Sequence, residues 1–237
     1  KEYNKALEYH SAALKIRREI LGEKHPYTAS SYNNIGSVYR NKGEYDKALE
    51  YFQKGETSCL PDFNDSLNVY SLPSVANSLG WYYLLQSLRA QAQIIGDKTK
   101  SLKGPEYNER RKIALAHYQA CDTLIDITRK KISSQQDKLA LVGLASQVYK
   151  NAIDLLLDLL PSDNEGRVKK ISGNERNQAF YFSEKNKSSV LLEALAGQEA
   201  QRYAGIPETL LQKEHNLKID IAFYTKQLAE PETLDTT

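Results

Sequence analysis

Residues 28–55, TASSYNNIGSVYRNKGEYDKALEYFQKG, decide the fold of this chain. Apolar residues recur there at steps of three and four on both sides of a break at residues 41–43. Gly43 suits the left-handed end of the first helix. The stripes consist of Tyr32, Ile35, Gly36 and Tyr39 before the break, and of Tyr45, Ala48, Leu49 and Phe52 after it. The pattern predicts a helical hairpin that cannot bury its apolar face alone, with small Gly36 close to Ala48.

The second half of this pattern also occurs at the start of the chain. Residues 2–9 match residues 44–51 at an offset of 42 (3 to 45, 6 to 48, 9 to 51). Residues 77–83 echo residues 33–39 at an offset of 44, which makes Gly80 the counterpart of Gly36 as a helix-packing glycine. A fixed offset with matching residue types indicates an internal repeat of helical hairpins.

The rest of the chain continues as helices that lengthen towards the C-terminus. The predicted helices cover residues 2–21, 28–41, 44–59, 75–96, 106–131, 135–160, 174–196 and 207–230. Polar, Pro-containing or Gly-containing segments separate them, such as residues 161–173. The chain opens inside a helical pattern, so we expect it to be a fragment whose first repeat is incomplete.

The hairpin resembles the tetratricopeptide repeat (TPR), on the residues Tyr32, Ile35-Gly36, Tyr39, Ala48 and Phe52. The spacing and the preceding turn LGEKHP are most similar to the kinesin-light-chain-like subclass. The resemblance implies an all-α, right-handed solenoid of about eight helices whose groove is lined by the first helix of each repeat. Such grooves bind extended peptides, so the expected partner is a protein or a peptide.

The last 65 or so residues carry a second resemblance, in the segments SEKNKSSVLLEALA and GIPETLLQKE. Together with the long final repeats they are similar to the region ahead of a CHAT domain, a caspase-like cysteine protease found behind TPR arrays in bacteria. This implies a regulatory or sensor region. The alternative is the same solenoid ahead of another signalling output, such as a histidine kinase.

Composition excludes several classes of function. The net charge of +2 gives no reason to expect nucleic acid or an anionic membrane as a partner. No apolar run reaches the length of a membrane span. With only two cysteines there is no disulfide framework, and a reducing cytoplasm is the simplest compartment.

The sequence offers little catalytic or metal-binding chemistry. We expect no catalytic residue, no metal and no cofactor. None of the four histidines pairs with another at ligand spacing. His117 and Cys121 share a helix face, so a helical enzyme centred on Cys121 is a third hypothesis, although core packing explains both residues better. A basic cluster, Lys98, Lys100, Lys103 and residues 110–112, is better explained as a solvated surface than as an acidic-partner site.

Polar residues on the first helices of the repeats are the candidate binding site. Asparagine amides both donate and accept hydrogen bonds, and can therefore pair with a peptide backbone. By resemblance to TPR proteins, the groove would be lined by Asn33, Asn34, Ser37, Arg40, Asn41, Asn77, Ser78 and Tyr82.

The predicted organisation has three parts: TPR-like repeats over residues 1–60, longer degenerate hairpins over residues 61–197, and a linker helix over residues 198–237. That last helix carries a heptad seam made of Leu210, Glu214, Leu217, Ile221, Tyr224 and Leu228. A narrow seam fits one partner helix, so we expect this helix to project from the solenoid and to pair with a segment absent from the chain or with a second copy.

Overall fold

A computed structural model describes residues 2–63, 70–72, 74–99, 102, 104–157 and 173–203. Side chains are described as far as Ser189, apart from Gln135. Seven α-helices and no strand are found in these residues. The helices are α1 (Glu2–Leu21), α2 (Pro26–Asn41), α3 (Tyr45–Cys59), α4 (Trp81–Thr99), α5 (Gly104–Lys131), α6 (Gln135–Leu157) and α7 (Gly173–Tyr203). The predicted all-helical solenoid is confirmed, while the predicted helix over residues 207–230 and its heptad seam lie outside the described residues.

The turn between α1 and α2 is built by local backbone chemistry. Gly22 follows the last residue of α1 with a φ of 83°, a left-handed conformation that glycine adopts without strain. His25 caps α2, because its Nδ1 accepts a hydrogen bond from the backbone N–H of Tyr27 at 3.1 Å. Pro26 occupies the first turn of the helix, where its missing N–H costs nothing.

The hairpin of α2 and α3 matches the prediction closely. Gly43 has a φ of 80°, and its N–H bonds to the carbonyl of Arg40 at 3.0 Å. Gly36 lies against α3, but its nearest neighbour is the ring of Phe52 rather than Ala48. A Cβ added at Gly36 would be 3.2 Å from that ring. The contact is tight, so a larger side chain at residue 36 would have to displace the Phe52 ring.

The start of α4 differs from the prediction. The letters of residues 77–83 repeat those of residues 33–39, but α4 begins only at Trp81. Gly80 is not a helix-packing glycine. It precedes the helix with a φ of 75°, packs against Pro26, and its carbonyl accepts the N–H of Leu84. The segment before it is tied to α3 instead, through a bond from the Leu79 N–H to the Cys59 carbonyl at 2.7 Å.

The helices of residues 1–190 alternate between two layers. Helix α2 contacts α4 and α4 contacts α6, whereas no contact of similar extent joins α1 to α3 or α3 to α5. We infer that this layer lies on the inner side of the stack, because helices on the concave side of a curved stack of repeats come closest to one another. Helices α2, α4 and α6 therefore form the inner layer of this part of the chain. This is the layer that the resemblance to TPR hairpins implies for the first helix of each repeat.

Helix α7 packs on α5 and α6 through both apolar and polar contacts. Phe182 is buried against Tyr149, with ring centroids 6.2 Å apart. The chain forms two compact units, Lys1–Val190 and Leu191–Thr237, and the boundary between them falls within α7. The helix was expected to end near Ala196, but it continues through Gly197 to Tyr203. One glycine inside a helix costs only about 1 kcal/mol relative to alanine, which is too little to end it. The domain boundaries after residues 60 and 197 stay predictions.

Candidate protein-binding surface

The exposed side of α2 carries a row of polar residues at helical spacing. Asn34 and Asn41 are exposed, and Ser37 between them is partly exposed. Tyr27, two turns before the row begins, is exposed over about half of its surface. Three of the predicted site residues thus lie where a ligand can reach them, on a helix of the inner layer.

Asn33 is placed differently from the prediction, because it is buried with 4% of its surface exposed. Its amide donates to the Tyr83 carbonyl at 2.9 Å, and its Oδ1 accepts from the Ser87 hydroxyl at 2.6 Å. Gly55 of α3 lies beside this pair, and a Cβ there would be 2.4 Å from Oδ1. Asn33 therefore joins α2 to α4 and has no free amide for a peptide.

Two further predicted residues, Asn77 and Ser78, lie in the irregular segment before α4 rather than on a helix. Asn77 is exposed and lines a shallow depression with Leu60 and Phe63 at the C-terminal end of α3. The two residues are therefore separated from the polar row on α2. They were predicted to lie on a helix because the match of residues 77–83 to residues 33–39 begins before α4 does.

Tyr82, another predicted site residue, lies on α4 and exposes about a third of its surface. Counting from Trp81, residues Tyr82, Gln86, Arg89 and Gln93 share one face of this helix, and all four reach the surface in part. Tyr82 and Tyr27 both pack edge-on against Tyr83, at centroid distances of 5.3 and 6.3 Å. We call the exposed part of the two helices the inner face, made of Tyr27, Asn34, Ser37, Arg40 and Asn41 on α2 and Tyr82, Gln86, Arg89 and Gln93 on α4.

Arg40 crosses from α2 to α4 on this inner face. Its Nη1 donates to Oε1 of Gln93 at 3.3 Å, and the side chain is partly exposed. Arg89 lies nearby with its Nε buried and without a hydrogen-bond partner. Burial lowers the pKa of Arg89, and the positive charge of Arg40 lowers it further. Two guanidinium groups are thus neighbours, and within the described residues no carboxylate pairs with either.

Arg89, Gln86 and Gln93 are the inner-face residues that the sequence analysis missed. They were overlooked because α4 was aligned to α2 by Leu79-Gly80, which placed the ligand-facing positions before the helix. The helical period of the polar residues 82, 86, 89 and 93 was the signal that could have found them.

His117 and Cys121 do not form a reactive pair. Both are fully buried, and the Nδ1–H of His117 donates to the Ile113 carbonyl at 2.8 Å. Burial raises the pKa of the Cys121 thiol and lowers that of His117, so both groups are neutral. A thiol kept protonated inside the core is a poor nucleophile. The hypothesis of an enzyme centred on Cys121 receives no support from this geometry.

The basic cluster around residues 98–112 is largely paired where it is described. Lys98 bonds to Asp46, and Arg111 pairs with Glu175 of α7. Arg110 lies over the ring of Tyr70 at 4.1 Å. No group of three possible ligands for a metal ion is found in the described residues. Among the helices described, none is long and apolar enough to span a membrane.

Comparison with known proteins adds one finding that agrees with this geometry. A sequence profile of the tetratricopeptide repeat family matches residues 1–58, which comprise α1, α2 and nearly all of α3. Neither the search of curated proteins nor the search of solved structures found a match.

Proposed function

We propose that this chain is a scaffold for protein recognition, and that a peptide or a protein segment binds along its inner face. The observation that carries the proposal is the polar row on α2, which lies beside Tyr82 and Arg89 on the next helix of the inner layer. The match of residues 1–58 to the tetratricopeptide repeat supports it, since such repeats generally mediate protein–protein interactions.

The chemistry of the inner face suits an extended peptide. Asn34, Asn41 and Gln86 offer amides that both donate and accept, which is what an unpaired peptide backbone needs. Tyr27 and Tyr82 offer exposed aromatic surface, the kind of side chain that is enriched in protein interfaces. The row is therefore able to hold both the backbone and the side chains of a ligand.

We also propose, on the resemblance of the last 65 or so residues alone, that the chain is the regulatory region ahead of a CHAT cysteine protease. Its repeats would be of the kinesin-light-chain-like kind, and its compartment the bacterial cytoplasm. In this arrangement the first two predicted parts (1–60 and 61–197) would bind the partner, and the third (198–237) would lead into the protease. The coding sequence that follows residue 237 tests this: a strand-borne His and a later Cys support it, and a kinase ATP-binding block contradicts it.

The scaffold itself is tested by paired variants of the two layers. Asn34→Ala with Asn41→Ala changes the inner face, and Lys47→Ala with Lys54→Ala changes α3 of the outer layer. We expect the first pair to lose proteins that the unchanged chain captures from its own cells, as measured by quantitative mass spectrometry. The second pair should retain them. Equal capture by both pairs would contradict the proposal.

A further inference from the structure

Two buried side chains at the interface of α3 and α4 carry oxygen atoms that no described donor reaches. Glu56 of α3 and Gln91 of α4 are both fully buried, and the Gln91 amide donates to Oε1 of Glu56 at 2.5 Å. Oε2 of Glu56 and Oε1 of Gln91 are buried as well, and neither has a hydrogen-bond partner in the described residues. Each member of the pair thus keeps one unmatched acceptor, and a buried polar atom without a partner opposes folding.

No cation stabilises the carboxyl group of Glu56. Its described titratable neighbours are the thiols of Cys59 on α3 and Cys121 on α5, and burial raises the pKa of both thiols, so that they are neutral. Arg89 of α4 acts on Cys121, but no charged side chain of the described residues acts on Glu56 itself. A carboxyl group withdrawn from water without a cation takes up a proton in preference to a charge.

A proton on Glu56 supplies the donor that the pair lacks. A protonated carboxyl group has one O–H donor besides its acceptors, and a primary amide likewise presents N–H donors beside a carbonyl. The existing bond already holds the two groups together. An O–H at Oε2 of Glu56 therefore has an unmatched acceptor, Oε1 of Gln91, on the same neighbour, and both oxygens gain a partner in one ring of two hydrogen bonds.

We propose that Glu56 and Gln91 form a carboxylic acid–amide clamp, in which one proton on Glu56 completes two hydrogen bonds between α3 and α4. Loss of that proton leaves an uncompensated carboxylate in the core and weakens the interface of the two helices. The clamp lies between the hairpin that matches the tetratricopeptide repeat and the next helix of the inner layer. It makes the attachment of α4 dependent on pH, and it does not rest on the proposed scaffold function.

Infrared difference spectroscopy tests the proton directly. The 237-residue chain at neutral pH is compared with Glu56→Gln, and we expect the variant to lose the carbonyl band of a protonated carboxylic acid. Glu44→Gln is the matched control on the same hairpin. Lys42 and Lys47 pair with Glu44 and lower its pKa, so this variant should lose carboxylate bands only. Loss of carboxylate bands from Glu56→Gln would overturn the proposal.

The role of Gln91 is tested by exchanging the two groups. In the double variant Glu56→Gln with Gln91→Glu, acid and amide change places, and we expect the acid band and the stability of the unchanged chain to be retained. Gln91→Met should lower the urea midpoint at about pH 5 and move the acid band to higher frequency, because the carboxyl group loses both hydrogen bonds. An unmoved band in Gln91→Met, or a double variant no more stable than Gln91→Met, would contradict the clamp.

Hydrogen exchange separates a local interface from general stability. In the unchanged chain, protection factors of the α4 amides should fall as the pH rises from about 5 to 8, and in Glu56→Gln they should stay constant. Amides of residues 173–189 on α7, which packs on α5 and α6, are the internal reference and should show no such fall. Constant protection of α4 in the unchanged chain, or an equal fall in α4 and α7, would overturn the proposal.

Discussion

At the scale of single residues, three helices meet closely where Gly55 of α3 lies against Asn33 of α2 and Ser87 of α4. We predict that Gly55→Ala destabilises the chain by about 1–3 kcal/mol, because the new methyl group would collide with an amide held by two hydrogen bonds. Urea unfolding followed by circular dichroism measures the change. Gly143→Ala on α6 is the control, since a Cβ there meets nothing within 4 Å.

Glu56 gives the fold a dependence on pH. It is fully buried, its Oε1 accepts a hydrogen bond from Gln91 at 2.5 Å, and its Oε2 has no partner. Burial raises its pKa well above 4.5, and the bond from Gln91 offsets this only in part. The folded state therefore holds a proton that the unfolded chain releases near pH 4.5.

The direction of this pH dependence follows from the higher pKa of Glu56 in the folded state than in the unfolded chain. The contribution of Glu56 to stability is fully present below the unfolded pKa and is lost as the pH rises towards the raised folded pKa. We predict that Glu56→Gln removes this loss and makes the chain more stable at neutral pH. Denaturant unfolding of both chains at several pH values between about 4 and 8 measures the difference in their free energies of unfolding. Parallel curves for the two chains would show that Glu56 does not titrate differently on folding.

The helical period predicts which residues of a helix share a face, but it does not predict which neighbouring helix that face contacts. Asn33 and Asn34 look equivalent in the sequence, but successive residues of a helix point in different directions. Asn33 therefore faces α4, whereas Asn34 is exposed. Which of them faces a third helix depends on where α4 lies, and nothing local to α2 encodes that. Gly36 and Gly80 differ for the same reason, although each follows an aliphatic residue in a similar string of letters.

At the scale of helices, a polar network holds α7 on the preceding pair. The carboxylate of Asp122 on α5 accepts from the hydroxyls of Tyr149 on α6, at 2.8 Å, and of Tyr181 on α7, at 2.6 Å. Lys185 on α7 lies 3.4 Å from Asp122 and 2.6 Å from Asp126. One buried carboxylate thus joins three helices, and burial together with its charge raises the pKa of Tyr149.

We predict that Asp122→Ala destabilises the packing of α7 by about 2–3 kcal/mol, since it leaves the buried Tyr149 hydroxyl without its acceptor. Hydrogen exchange should become faster across residues 173–189 and stay unchanged in α2 and α3. Asp126→Ala is the matched control, because Asp126 is more exposed and its loss should cost under about 1 kcal/mol. Equal effects of the two variants would contradict a central role for Asp122.

Helix boundaries followed from the sequence where the ends are set by local chemistry. The ends of α1, α2 and α3 were predicted to within about two residues, because Gly22, Gly43 and the Cys59–Pro61 region mark them locally. The start of α4 was not predicted, because Leu79 and Cys59 hold the preceding segment through contacts distant in sequence. Helix α7 continues past its expected end because the cost of one glycine is smaller than the stability of the helical turns before and after it.

At the scale of the whole molecule, the proposed function depends on the two layers into which the helices of residues 1–190 are divided. The sequence indicated it through the internal repeat, and residues 1–58 match the tetratricopeptide repeat. It could not indicate the Arg40–Arg89 pair, because that pair arises only when α2 and α4 are brought side by side. The surface proposed for binding is thus one that two helices create together.

The position of bound protein on the two layers tests the central claim most directly. A photo-crosslinking benzoylphenylalanine is placed at Asn34 or Tyr82 on the inner face, and at Lys47 or Lys54 on the outer face of α3, and the chain is irradiated in cells that produce it. We predict that the same partner is crosslinked from both inner positions and from neither outer position. Crosslinks to that partner from the outer positions alone, or equally from all four, would contradict it.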